Sequence, residues 1–538
     1  MIGCSPAPCD QGVIRGSLPE APGCASSSRK WVLAASIAGS AMAFIDTSVV
    51  NVALPAIQAD LHAALSQAQW VISAYLLVLG ALMLAGGAAG DSLGRRRMFL
   101  IGVASFAATS VACALAHDPS TLIAARALQG AAGALLVPNS LTIVSAAFPP
   151  RDRGRAIGTW AGASGLTTAL GPVLGGWLVD AASWRAVFLI NVPVAALALA
   201  LAIRHVPESR DPRQTRVDWA GGVLAVAAFG SIAYGLTVAS DVGWSSATAI
   251  GLVLCGAAVL LVFLWTEAQS SAPMLPLQLF RSRSFIGANA ITLLLYFALG
   301  GVLFLVPYNL IRIQGYSAAG AGAAFLPLSL IMGGLSRWAG AAIGSWGARL
   351  PLTAGTLVCT VGFALLAVPG VGGSYWTTFF PALAVLGLGM GITVAPLTTA
   401  VMDSVDERHA GVASGINNAT ARIAGMLAVA LLGSVTIGVF RSEVDEHLAR
   451  LNVPPEAREM IHSQARKLTD VPLPPPAESQ ARRAAQQAVS QAFVTSFRVA
   501  TLLAAALALL SAAFAQLTSG PPSSTHPAGA SPIDARRT

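Results

Sequence analysis

"GAAGDSLGRR", Gly87–Arg96, closes an apolar run with a polar turn and two arginines, and far along the chain "GAAIGSWGAR", Gly340–Arg349, does the same. Laid over one another, the two stretches share Gly, Ala-Ala, Ser, Gly and the last Arg. Such a match predicts an internal repeat, with equivalent helices in two halves of the chain. Repeated halves related by an axis along the membrane normal are a hallmark of secondary transporters, whose substrate site lies between them. Gly- and Ala-rich sequence also matches by chance, so the repeat needs support from the rest of the chain.

Composition supplies the solvent. Of 538 residues, 55% are hydrophobic and only 10% charged, where a soluble domain carries roughly 25% charged residues. Windows of about 20 apolar residues give fourteen candidate spans, from 31–53 to 492–515, with 155–180 fifth and 350–369 eleventh. The expected architecture is an all-α membrane protein of two six-helix bundles plus two inserted helices. Residues 1–30 form a tail, 31–204 the first bundle and 205–284 a linker with the two inserted helices. Residues 285–517 form the second bundle, interrupted by an outside loop at 441–490, and 518–538 a second tail. Within that loop "SEVDEHLARL" reads as a short amphipathic helix and "PLPPP" as an extended spacer.

The basic residues orient the chain. With the amino terminus inside, the inner segments hold Arg29, Lys30, Arg95–Arg97, Arg151, Arg153, Arg155, Arg204 and others, while the short outer loops hold only Arg185 and Arg312. The positive-inside rule then places both termini in the cytoplasm. It also accounts for the net charge of +8; the basic residues are scattered without interleaved aromatics, which argues against nucleic acid as a partner. The first tail lacks the apolar h-region of a cleaved signal peptide. Cys4, Cys9, Cys24, Cys113, Cys255 and Cys359 have neither metal-ligand nor disulfide-framework spacing. Scarce lysine with abundant Ala and Arg suggests a GC-rich bacterial genome, hence a bacterial cytoplasmic membrane.

Two lysines, Lys30 and Lys467, each lack the Gly-rich context of a phosphate loop. No ATP site or other cofactor is expected, so energy comes from a gradient. The seven histidines lie in loops, tails or at span edges without metal-ligand clustering, and no catalytic or metal constellation stands out. What does stand out is Asp46 in "AFIDTSVVNVALP". It lies sixteen residues beyond Lys30, roughly 24 Å along a helix and well inside the bilayer. An intramembrane carboxylate costs several kcal/mol, on the order of 2.5 to 3.5 by insertion scales, and is functional by default. Desolvation favours its protonation and a nearby arginine opposes it, so a group between those influences can load and release a proton. Arg126 and Arg422 are the other deeply placed charges; each suits an anionic group of substrate, the state of Asp46, or backbone carbonyls at a kink. Asn51, Gln129, Asn139, Asn417 and Asn418 are candidates to line a cavity or to join helices. In the fifth span Pro172 removes a backbone hydrogen bond while Gly171, Gly175 and Gly176 admit a close neighbour, so this helix should bend and pack tightly.

Together these stretches resemble the major facilitator superfamily, specifically its fourteen-span drug:proton antiporter branch. "IDTSVVNVALPAI", "GAAGDSLGRRR", "RALQGAAGA", "GPVLGG", "WRAVFLINVP" and "SGINNATARIAG" carry the likeness, although Thr167 stands where the antiporter motif usually has glycine. The resemblance implies proton-coupled export of amphipathic small molecules such as drugs or antibiotics, with Asp46 and Arg126 as the coupling pair. It implies a cytoplasmic latch of Gly87, Asp91, Gly94, Arg95 and Arg96 that holds the halves together in the outward-facing state. Gly344 replaces the aspartate in the second copy, so the latch should be one-sided. The residues also leave room for a proton symporter of a nutrient or organic acid, against which "GPVLGG" argues, and for a non-transporting scaffold or sensor. Substrate, protons and lipid are the partners implied; whether a periplasmic adaptor joins them is not written in the sequence.

Overall fold

The computed structural model describes residues 26–210, 217–270, 273–406, 410–450 and 479–518. Among them every regular element is helical. The first six long helices are α1 (Ser26–Asp60), α2 (Leu65–Leu93), α3 (Arg95–Ala114), α4 (Pro119–Ala147), α5 (Pro150–Ala181) and α6 (Asn191–His205), the last preceded by a helical turn at Ala186–Leu189. Then come α7 (Trp219–Val242), α8 (Ala247–Gln269) and α9 (Arg283–Tyr308), and α10 (Leu326–Trp346), which is led by the short helix Ala318–Ala323. The last four are α11 (Arg349–Leu365), α12 (Phe379–Asp403), α13 (Ala410–Arg450) and α14 (Ser479–Phe514). Each of the fourteen expected spans has its helix. Twelve are long and apolar enough to cross a membrane; α5, rich in Gly, and the short α11 fall outside that set.

The helix ends differ from the apolar windows. The expected outside loop at 441–490 is partly helical: α13 continues to Arg450 and α14 begins at Ser479. "SEVDEHLARL" therefore extends α13 through Arg450 instead of forming a separate helix. At 1.5 Å per residue α13 is about 61 Å long, twice a hydrocarbon core of ~30 Å. Hydropathy marks where lipid ends, whereas a helix ends only where its hydrogen bonding stops. The remainder of that loop, 451–478, with its Pro run, and the tails 1–25 and 519–538 lie outside the described residues.

The packing repeats. In the first six helices α2 packs on α4, α1 on α5 and α6, and α3 on α4 and α6. In the last six α10 packs on α12, α9 on α13 and α14, and α11 on α12 and α14. These are the same five pairings with every helix number raised by eight. The quoted turns extend the match to side chains: Arg96, opening α3, donates to the Ile203 carbonyl near the end of α6 (2.6 Å), and Arg349, opening α11, bonds Gln516 just past α14. Between the halves α7 and α8 pack on each other, and α7 lies against both α2 and α13. Exposed Leu254, Leu261 and Trp265 make α8 a lipid-facing helix.

The halves meet along two seams, α2 with α13 and α5 with α10, which are equivalent under the repeat. Along the first, Gln69 lies against Gly433, Gly80 against Arg422 and Leu84 against Gly415. The second seam closes at one end only. There Asp180 at the foot of α5 accepts from the amides of Ala318 (3.2 Å) and Ala319 (2.7 Å), and Gly176 and Gly322 let the two backbones touch. A methyl group at either glycine would overlap a carbonyl across the seam. Toward the other end the helices part, and a Cβ added at Gly158, Gly162 or Gly165 of α5 or at Gly333 or Gly334 of α10 would meet nothing within 4 Å among the described residues.

Candidate functional site

Asp46 lies on the face of α1 turned into the first bundle and is 0% exposed. Its Oδ2 accepts from Arg126 Nη1 of α4 at 2.5 Å, a pair sealed from solvent at both members. Oδ1 accepts from Gln129 Nε2 (3.0 Å) and Asn191 Nδ2 (3.4 Å). One turn beyond Arg126 on α4, Gln129 also accepts from Arg126 Nη1 (2.6 Å) and donates to Ser110 of α3 (2.9 Å). Arg126 Nε reaches the Val71 carbonyl (3.0 Å), and its guanidinium lies 4.2 Å from the centre of the Tyr75 ring and 5.7 Å from that of Phe188. Five helices thus converge on one carboxylate. A buried ion pair is tolerated only when its remaining hydrogen-bonding capacity is met, and here both carboxylate oxygens have donors.

This geometry answers what the sequence left open, since Arg126 is in direct contact with Asp46. It also fixes what the site can do. A carboxylate so enclosed exchanges a proton only if the bundle opens a path to water, and protonating it would break the charge pairing with Arg126. Tyr75 connects the pair to α1 a second time: its hydroxyl donates to the Ala43 carbonyl (3.3 Å) and lies beside Thr47.

Three of the cavity candidates belong elsewhere. Gln129 is part of the Asp46 cluster, and Asn139, 0% exposed, donates to the Gly86 and Leu135 carbonyls and so joins α4 to α2. Asn417 bonds Asn289 and Thr292, tying α13 to α9. Asn418 is exposed and bonds its own helix at Ser414. Asn51 bonds back to the Thr47 carbonyl (3.1 Å) from the α1 face that also carries Phe44. Arg422 stands across the first seam, its guanidinium 5.9 Å from the centre of the Phe44 ring. Of the five candidates, Asn51 and Asn418 bond only their own helices among the described residues.

The expected antiporter bend is a contact surface. Gly171 lies against Ser48 and Gly175 against Val49, both of α1, while Gly176 meets Ala318 and the Pro172 carbonyl meets Gly322. The same helix segment therefore packs on its own bundle with one face and on the other half with the next.

The latch residues bond within the first half. Asp91 pairs with Arg95 one turn on (Nη2, 2.7 Å), Arg96 reaches Ile203, and Gly87 packs on Pro138. Gly94, at φ +115°, makes the turn with its Cα beside the Glu208 carboxylate, which accepts from the Arg96 and Arg97 amides. A carboxylate there satisfies the free N–H groups that open α3. Among the described residues these contacts lie within the first half, and the turn braces α2 and α3 against α6. Glu208, Ser110 and Tyr75 escaped sequence reasoning because nothing in their local pattern marks them. Asp60 accepts from Trp184 and Arg185 of "WRAVFLINVP" and so clamps the end of α1.

Two seams, a repeated bundle and a sealed ion pair define a multi-pass membrane transporter, not an enzyme. The chain belongs to the major facilitator superfamily, whose family model matches residues 37–221 and 219–429. It is 35% identical over 78% of both chains to the multidrug resistance protein Stp of Mycobacterium tuberculosis. It is 32% identical to the tetracenomycin C resistance and export protein of Streptomyces glaucescens, over 91% of this chain and 92% of that one. Among solved structures, a bacterial homolog of the human lysosomal transporter Spinster, inward-facing and occupied, superposes with a TM-score of 0.61 over 92% of this chain and 97% of that one. At 15% identity that likeness speaks for the fold alone.

Proposed function

We propose that this protein exports amphipathic small molecules, drugs or antibiotics among them, across a bacterial cytoplasmic membrane in exchange for protons. The sealed Asp46–Arg126 pair carries the reading, because a titratable group is kept where burying it is costly and no other carboxylate shares its cluster among the described residues. The names of Stp and the tetracenomycin C protein support drug and antibiotic export. Both termini face the cytoplasm by the charge of the loops, so the open ends of α5 and α10 face the cytoplasm and the Asp180 contact lies outside. In the opposite state Asp91, Arg95 and Arg96 form the cytoplasmic latch, and the halves rock around a midplane cavity. Protonation of Asp46 weakens its hold on Arg126, and Tyr75 passes that change back to α1. No ATP site is needed and no adaptor is invoked.

Inside-out vesicles with an acidified lumen test this. Added substrate should raise luminal pH as protons leave in exchange; a symporter importing its substrate into the cell would acidify the lumen further. A substrate taken up with no proton movement in either direction would remove the coupling role of Asp46.

A further inference from the structure

Arg422 is a cation with no carboxylate partner among the described residues. It lies on α13, twelve residues past Ala410, about 18 Å along the helix and well inside the bilayer. Three other arginines in the spans have acceptors: Arg126 holds Asp46, Arg312 the Pro55 carbonyl (3.0 Å) and Arg498 the Ala367 carbonyl (2.8 Å). Among the described residues Arg422 donates to none and pairs with no carboxylate. Arginine remains charged in any surroundings, and a charge at this depth calls for a partner.

Its surroundings are aromatic and neutral. Phe44 of α1 presents its ring to the guanidinium, and the Trp160 ring of α5 meets Phe44 edge-on at 6.1 Å. The Trp160 indole N–H is buried and has no acceptor. Gly80 of α2 lies against the Arg422 Cβ, and Tyr75 of α2 and Tyr296 of α9 are near enough to feel its charge. Thus a permanent cation, an unused N–H donor and a pair of rings share the space between the halves. Asp46, the acid nearest in this network, is already held by Arg126.

We propose that Arg422 with Phe44 and Trp160 forms a subsite for a planar aromatic anion, the acid group on the guanidinium and the ring system on the aromatic pair. The subsite deepens the export reading, on which it rests for the fate of the ligand but not for its binding. A guanidinium takes a carboxylate or sulfonate by two parallel N–H donors, and Phe and Trp faces take flat rings at little conformational cost. An aromatic cation of the same size would face an unscreened positive charge at the same spot.

Two probes with one ring system separate charge from shape: 8-anilinonaphthalene-1-sulfonate, which is anionic, and neutral N-phenyl-1-naphthylamine. Equilibrium dialysis against purified full-length protein in detergent, without a gradient, should show the sulfonate bound at least tenfold more tightly after subtraction of protein-free micelles. Arg422→Gln should abolish that preference and leave the neutral probe within about twofold, Arg422→Lys should keep part of it, and Phe44→Leu should weaken both probes alike. Equal binding of the two probes by the unaltered protein overturns the subsite, and so does an Arg422→Gln protein that keeps the preference. If Arg422→Gln does not fold, Trp160→Phe serves: removing the N–H should cost the sulfonate several-fold and the neutral probe nothing, and equal effects on both would refute the assignment. Discrimination without uptake into inside-out vesicles would sink the export reading and leave the subsite; uptake without discrimination would do the reverse.

Discussion

At Asp46 the physical problem is a charge pair that must be both stable and breakable. Arg126 at 2.5 Å and donors on both oxygens make it stable. Removing one member of a buried pair leaves the other uncompensated, at a cost of about 3–5 kcal/mol. Asp46→Asn should therefore lower the melting temperature in detergent and abolish gradient-driven export. The double variant Asp46→Asn/Arg126→Gln removes both charges and should recover most of the melting temperature with no export. Recovered export in the double variant would show that the pair is structural. A milder test is Gln129→Leu, which strands Arg126 Nη1, Asp46 and Ser110 each short of one bond; an unmade buried bond costs about 1–3 kcal/mol. Export should fall while proton coupling per substrate, read as the ratio of the two fluxes, stays unchanged. Asp46 and Arg126 were legible in the sequence because a charge in an apolar run has no bland surroundings. Gln129 and Asn139 were legible only as polar, since residue type does not say which face of a helix looks inward. Tyr75 and Ser110 were invisible because the cluster is assembled from five helices, and α2 and α3 contribute side chains that nothing in their own stretches marks.

Among the elements, α5 is the helix that must hold to two partners and let go of one. Its Gly171 and Gly175 seat it on α1, a contact within the first half, whereas Gly176 and Asp180 seat it on the short helix Ala318–Ala323 of the other half. Asp180 completes that helix's N-terminus, where free N–H groups and the helix dipole favour an anion. Asp180→Asn keeps the shape and loses the charge, so the closed end should be weakened by roughly 1–2 kcal/mol, the difference between charged and neutral hydrogen bonds. Spin labels on α5 and α10 beside this contact should then show a larger share of the long distance between them by pulsed electron resonance. An unchanged distribution would mean that Gly176 and Gly322 hold the seam by themselves. The sequence foretold a tightly packed Gly-Pro segment but not its second partner, because a glycine face announces closeness and not with whom. It likewise placed all fourteen helices while misjudging where α13 ends, since the apolar window stops near Phe440 and the hydrogen bonding does not.

For the whole molecule the governing fact is that two copies of one packing scheme face each other across unequal seams. The quoted turns Gly87–Arg96 and Gly340–Arg349 share six of ten residues, a match that chance could supply, yet they open equivalent helices whose arginines reach equivalent partners, Ile203 and Gln516. Symmetry of this kind permits two states of similar energy, one closed at each end. The structure is closed where Asp180 meets Ala318 and open where α5 and α10 part, so the open side should be reachable from one face of the membrane only. Single cysteines at Gly162 and Gly334, where an added Cβ would meet nothing within 4 Å among the described residues, placed in a protein whose six cysteines are replaced, report this with a membrane-impermeant maleimide. Labelling should be fast from the cytoplasmic face and at least tenfold slower from the outside. Gly176→Val, whose side chain overlaps the Ala318 carbonyl, disfavours the closed outer contact and should move the equilibrium toward the opposite state. Cytoplasmic labelling at both positions should then slow together, because Gly162 and Gly334 approach each other only if the halves turn as rigid bodies. Slowing at one position alone would mean that a single helix bends while the bundles stay where they are.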